Sequence, residues 1–309
     1  MSTDLFRDPL TFLDLPRSTD FAAADVAVVG VPFDCARDLT RFGPRQGPNA
    51  VRHASVLTAN LMRDADPYPL DSIAVVDAGN VDLPMDDVET AFERIEAALG
   101  SMLEADCIPV AVGGDGSVSL PQMRALHRRH GPFALLHFDA HSDAWPVSAD
   151  GRHSNANQFT FAASETLLDM QAALHVGTRG PVNAKANIEF ARSLGYRVIP
   201  FEEYRDMGPQ ELLSTARQLV GERPVFVCYD MDFFDPSVAP GVATPTPGGA
   251  MPEEGLALMR GLAGLNIIGI DINTMTPQHD AGGATATLAA SLLAESLGVL
   301  AANASRRSR

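Results

Sequence analysis

Five side chains in two short stretches have the types and spacing to do metal chemistry. In "HFDAHSD", Asp139, His141 and Asp143 stand at i, i+2 and i+4. On an extended chain those positions face one way, so two carboxylates and an imidazole converge. "CYDMDFFDP" repeats the device with Asp230 and Asp232. Four aspartates and a histidine in one pocket would repel one another by several kcal/mol at low dielectric. Two divalent cations cancel that charge, so the set reads as a two-metal site with ions about 3.5–4 Å apart. Oxygen-rich ligation with an imidazole favours manganese or nickel over a thiolate-seeking metal. His137 shares the phase of the first stretch but lies deeper in the apolar run, and reads as a core histidine.

Such groups need strand ends to hold them. Near-continuous apolar runs cover 25–33, 72–79, 107–114, 133–141, 174–180, 196–203, 224–235 and 266–275, as expected of strands covered on both faces in a parallel sheet. Helical periodicity is clear over 86–104, and helices also fit 184–194, 209–221, 253–263 and 285–302. The alternation predicts an α/β fold, a doubly wound layer structure whose ligand site lies at the carboxyl ends of the strands. No repeat or composition break divides the chain, so 1–309 reads as a single domain with a short mobile tail at 304–309.

Composition excludes several classes. Cys35, Cys107 and Cys228 are far apart with no CxxC pair, against a disulfide framework or a thiolate zinc site. A formal charge of −16 leaves no basic stripe for nucleic acid and suits a small cationic substrate, although an acid excess also simply keeps proteins soluble. No apolar run reaches the roughly 18 residues of a membrane span, and the first residues lack a signal pattern. The expectation is a cytoplasmic protein with neither nucleic-acid nor membrane partners.

The motifs resemble those of the ureohydrolase family of arginases and agmatinases along nearly the whole chain. "RFGPRQGPNAVR" (41–52), "HFDAHSD", "DMDFFDPSVAPGVATPTPGG" (230–249), "HVGTRG" (175–180) and "TPQHDAGGATATLAA" (276–290) each have a counterpart there. The resemblance implies a three-layer arginase-like fold with a parallel eight-stranded sheet flanked by helices, and trimers or hexamers. It also implies two divalent ions, Mn or Ni, bound by Asp139, His141, Asp143, Asp230 and Asp232. The implied reaction is hydrolysis of a guanidino C–N bond to urea and an amine by metal-activated water, with Asp143 bridging the ions and passing a proton to the leaving nitrogen.

Three positions depart from that pattern. The family's Gly-Gly-Asp-His-Ser is "GGDGS" (113–117) here, so Gly116 replaces a ligating histidine and one metal site is expected to be weak or empty. "HSNANQF" (153–159) places Asn155 where the family has a proton-shuttling histidine; an amide cannot shuttle a proton near neutral pH. His153 is the candidate substitute, with Asn157 and Asn155 as substrate contacts. Thr274 stands where the family has a glutamate that pairs with the substrate guanidinium, so it becomes a neutral substrate contact.

Arginine and agmatine are therefore poor substrates to expect. A substituted guanidine or biguanide suits the changes better. The chain resembles the degenerate subunit of heteromeric metformin hydrolases, which implies a homo- or hetero-oligomer with a ureohydrolase paralogue. The alternative to catalysis is a supporting subunit that stabilises or completes that paralogue. A guanidine-binding protein without hydrolysis is a third reading.

Overall fold

A computed structural model describes residues 10–35, 37, 40–63, 70–181 and 185–307. Eight strands follow the expected apolar runs: β1 Val26–Gly30, β2 Val75–Asn80, β3 Ile108–Val112, β4 Phe133–Phe138, β5 Leu168–Thr178, β6 Arg197–Pro200, β7 Val225–Asp230 and β8 Ile267–Asn273. They form one sheet in the order β2-β1-β3-β8-β7-β4-β5-β6, and every pairing is parallel. Between them run α1 Gly47–Arg63, α2 Val88–Glu104, α3 Ser119–His130, α4 Gln158–Ser164, α5 Lys185–Ser193, α6 Phe201–Val220, α7 Pro252–Gly261 and α8 Ala284–Arg307.

Alternation along β1 explains the three layers. Val26 and Val28 face a core shared with residues of α1, α6, α7 and α8, whereas Ala27 and Val29 face a second core with Phe92, Met123, Phe159 and Ala191 from α2, α3, α4 and α5. Both faces are covered, which is why the strands read as unbroken apolar runs.

Several expectations are corrected. The run at 196–203 leaves the sheet at Pro200, and Phe201 already begins α6. That helix carries a break at Gly208 (φ 76°), with Pro209 restarting it because proline supplies no N–H to the preceding turn. The expected mobile tail is helical through Arg307, pinned where Asn303 accepts from Gly264 N (2.6 Å) and donates to Leu265 O (3.0 Å); residues 308–309 lie outside the described set. The stretch Ala281–Ser305 is long and apolar enough to cross a membrane, contrary to the sequence expectation, but 67% of its most apolar window is buried in the protein.

At the sheet's edge, Arg52 of α1 forms a bidentate pair with Asp77 of β2 (3.0 and 3.1 Å), both buried, with the guanidinium 4.1 Å from the Phe12 ring centre. This pair ties the amino-terminal segment to the sheet.

Candidate metal centre

Register brings the acidic stretches together. On adjacent strands β4 and β7, Phe138 pairs with Tyr229, so Asp139 and Asp230 leave the sheet side by side. On β7 and β8, Asp230 pairs with Asn273, which places Thr274 next to them. The extended geometry expected for "HFDAHSD" does not hold: β4 ends at Phe138, and Asp139 Oδ1 accepts from His141 N (2.6 Å), curling the chain into a turn. Asp230 Oδ1 accepts from Asp232 N (2.7 Å) in the same way. Asp143 lies at φ 47° and Thr274 at φ 59°, left-handed conformations that are costly for a β-branched residue such as Thr274 and that gather at functional sites.

The side chains come together through these turns rather than along an extended chain. His141 Nδ1 is 3.2 Å from Asp139 Oδ1 and 3.1 Å from Asp232 Oδ2, and its Nε2 is 3.3 Å from Thr246 Oγ1. Asp232 Oδ1 accepts from Ala140 N (3.0 Å). All five candidate ligands are buried. Burial, then the charge of Asp139, pushes Asp143 well above the usual carboxylate range; burial, then Asp232, does the same to Asp230. Asp232 is pushed up to about 6 by burial and Asp139. Burial opposes the imidazolium of His141, but Asp232 and Asp139 together carry it well above the ordinary histidine value. Such carboxylates need a proton or a cation.

Two overlapping groups of side chains could each hold a cation. Ligand atoms of Asp139, His141 and Asp232 lie within 4.8 Å of one another, and Asp139 Oδ2 is buried with no hydrogen-bond partner. A buried lone pair without a donor suits a dication; the imidazole beside that oxygen is His137's, whereas His141 faces the other oxygen, Asp139 Oδ1. A second group, His137, Asp139 and Asp143, meets the same distance criterion. His137 is buried, its ring 4.4 Å from that of Phe159 and its Nδ1 2.7 Å from His175 Nδ1. Its Nε2 nevertheless reaches within 3.0 Å of Asp139 Oδ2, unaligned for a hydrogen bond.

The turn that lost its histidine is otherwise intact. Gly114, at φ 84°, lies where a Cβ would stand 2.7 Å from Val31 O, so only glycine fits. Asp115 fixes the turn by accepting from Cys35 N (2.7 Å) and Ser117 N (3.1 Å). A Cβ on Gly116 would stand 2.7 Å from Gln158 Nε2, 3.0 Å from Asp143 Oδ2 and 3.1 Å from Asn155 Oδ1. Gln158 Nε2 donates to Asp143 Oδ2 (2.6 Å), and Gly116 N donates to Asn155 Oδ1 (2.5 Å). Gln158 was missed by sequence reasoning because a lone glutamine at the head of α4 carries no signal of its own.

Two further assignments are corrected. His153 joins neither proton transfer nor the cluster: its ring packs between Phe92 and Phe161 (4.9 and 4.3 Å), and its Nε2 faces Glu89 at 3.6 Å. Asn157 is held by its own loop, accepting from Ser154 N (2.9 Å) and donating to Arg152 O (3.0 Å), and its side chain is buried there. Thr274 does reach the site, but its hydroxyl donates to Asp230 Oδ1 in a short hydrogen bond. Asn155 borders the site with its Oδ1 committed to Gly116, and its Nδ2 has no partner among the described residues. Arg179, within "HVGTRG", donates to the carbonyls of Asp232 (2.7 Å) and Thr246 (2.8 Å), binding the loop after β7 to the cluster.

The whole chain compares closely with known proteins. The family model described as the Arginase family matches residues 24–298. Guanidinopropionase of Pseudomonas aeruginosa is 38% identical over 297 residues, covering 96% of this chain and 93% of its own. Proclavaminate amidinohydrolase of Streptomyces clavuligerus is 36% identical over 287 residues, covering 93% and 91%. Its solved structure superposes with a TM-score of 0.89 at 35% identity over 96% of this chain and 98% of that one. A structure described as a hypothetical agmatinase from Burkholderia thailandensis gives 0.89 at 31% identity over 98% and 93%.

Proposed function

The chain belongs to the arginase family, and from that premise we propose that its substrate is a substituted or weakly basic guanidine, of the alkylguanidine or metformin-like biguanide kind. The enzyme class is firm: the chain is a hydrolase of C–N bonds in linear amidines, of the kind that cleaves guanidino groups. Relatives named for guanidino acids stand beside agmatinases among its matches, so the family frame admits more than one guanidino substrate.

The single observation that carries the reading is Thr274. It sits inside the cluster, has no charge, and commits its hydroxyl proton to Asp230. A fully charged guanidinium finds no carboxylate there to pair with in the two-pronged manner that guanidinium favours. A guanidine with a lower or more delocalised charge loses less by that exchange.

When bound, a divalent ion, manganese or nickel, supplies a water acidified to a pKa of about 7, and Asp139, His141 and Asp232 are the residues that would hold it. The other roles fall to side chains. Asp143 would carry the proton to the departing nitrogen. Asn155 Nδ2 offers an amide donor to the substrate and transfers no proton. The net reaction adds water across one C–N bond, with the hydroxyl oxygen going to the guanidino carbon and a proton to the amine.

A second reading is favoured by the packing around Gly116: the chain serves as a supporting subunit of a hetero-oligomer, trimeric or hexameric, with a complete ureohydrolase paralogue. One experiment separates the two. Purified chain, loaded with manganese or nickel, is assayed for urea release on a panel of alkylguanidines, biguanides, arginine and agmatine, alone and after co-expression with a paralogue bearing the Gly-Gly-Asp-His-Ser motif. Urea from substituted guanidines by the chain alone supports the first reading. Silence alone but release in the mixture supports the second, and silence throughout removes both.

A further inference from the structure

Position 116 lacks a side chain, yet no void lies beside it. The side chains of Gln158 and Asn155 fill that space: a Cβ there would meet Gln158 Nε2 at 2.7 Å, closer than real Cβ contacts allow, and Asn155 Oδ1 at 3.1 Å, a tight contact. Gln158 is 2% exposed, and its Nε2 donates to Asp143 Oδ2 at 2.6 Å. That carboxylate oxygen is the one facing position 116, 3.0 Å from where the Cβ would stand. One of that oxygen's two lone-pair sites, on the side a second cation would approach, is already taken by an amide N–H.

We propose that Gln158 stands in for the second ion, so that each chain holds one divalent cation in the Asp139–His141–Asp232 group, with glycine at 116 because the amide occupies the space. The inference rests on the cluster being a metal centre and deepens that reading.

Phe159 N donates to Asp143 O (3.1 Å), which holds the backbone at the head of α4 beside the Asp143 carboxylate. The rival arrangement draws the second ion to His137, whose Nε2 lies near Asp139. It still requires Asp143 to exchange its amide donor for a metal.

The test counts ions and needs no turnover. The purified full-length chain is saturated with Mn2+, freed of excess, and measured by elemental analysis and by electron paramagnetic resonance. Wild type is expected to carry about one Mn2+ per chain with the spectrum of an isolated ion, against the pair held by a two-metal site. Gln158→Ala keeps about one, since the amide is no ligand. Gly116→His alone melts lower than wild type and gains no metal, whereas Gly116→His with Gln158→Ala recovers stability and rises to about two coupled ions. If the double variant fails to fold, wild type and Gln158→Ala still decide the matter.

About two ions in wild type overturns the inference while sparing the metal-centre reading. A fall from two to one in Gln158→Ala would then show the amide oxygen to be a ligand, and the same fall in His137→Phe would show the second ion to be held by that imidazole. No bound metal in wild type overturns both the inference and the reading beneath it.

Discussion

Asp232 is the residue on which the centre turns, because its carboxylate both faces His141 and accepts from the Ala140 amide. Asp232→Asn preserves shape but removes a charged ligand. Metal affinity by competition titration should fall at least about 10-fold, the lower end of what even an indirect partner costs. The metal-free variant should melt no lower than metal-free wild type, since one buried negative charge has gone. An unchanged affinity would exclude Asp232 as a ligand. Thr274→Val removes one of the two donors to Asp230 Oδ1 and leaves it the Asp232 N–H alone, at a cost of about 1 kcal/mol or somewhat more in chemical denaturation. The aspartates were legible in the sequence because two dense acidic stretches ending apolar runs have few other uses. Gln158 was not. Its meaning lies in a distance to Gly116 across 42 positions of chain, and no residue type announces that. His153 misled for the converse reason: an imidazole near a motif looks chemical until its aromatic neighbours, Phe92 and Phe161, are known.

Elements carry two further predictions. Arg52 on α1 and Asp77 on β2 are both buried and pair through two bonds. Arg52→Leu should destabilise the protein by about 3–5 kcal/mol, because removing one partner strands the other charge. Denaturation of the double variant with Asp77→Asn would be expected to recover part of that loss. Under β7 and β8, Asp271 Oδ2 accepts from Ser119 (2.6 Å) and Asn273 (2.9 Å). Burial still pushes Asp271 up to about 6, against those hydrogen bonds. Its protonated form is thus favoured on folding: the stabilisation is complete below about pH 4, the unfolded carboxyl's range, and is lost as pH rises through about 6. Asp271→Asn should flatten that part of the stability–pH curve, read by denaturation at pH 4 to 7; an unaltered curve would show that Asp271 titrates normally. Eight strands were legible because burial on both faces makes each an apolar run. Helices α1, α3 and α4 were not. The head of α1 is built of Gly47 and Pro48 and reads as loop, α3 has Pro121 in its first turn and a polar last turn, and α4 spans only Gln158–Ser164.

Across the molecule, folding gathers four aspartates from β4 and β7 into a space that excludes water, in a chain already carrying −16. The charge of Arg179 reaches the cluster, and its guanidinium also donates to the backbone carbonyls of Asp232 and Thr246; a dication would offset more of that cost. The fold is therefore coupled to its ion: whatever binds the native cluster and not the unfolded chain stabilises by mass action. With free metal at about 100 times its dissociation constant, the gain is about 2.7 kcal/mol. For a chain of 309 residues that corresponds to roughly 4 °C in Tm. Thermal denaturation with excess Mn2+ and with EDTA should differ by about that amount, and Mg2+, which prefers to keep its own waters, should substitute poorly. The same pair of measurements on Asp232→Asn should show almost no gap, which separates loss of the bound ion from a general effect of EDTA. Raising the pH widens the gap in wild type, because the metal-free cluster answers its excess charge with protons on Asp143, Asp230 and Asp232, and those protons become scarce. A Tm indifferent to chelation at pH 8 would mean that the gathered carboxylates are neutralised by protons alone, and that no ion belongs to this fold.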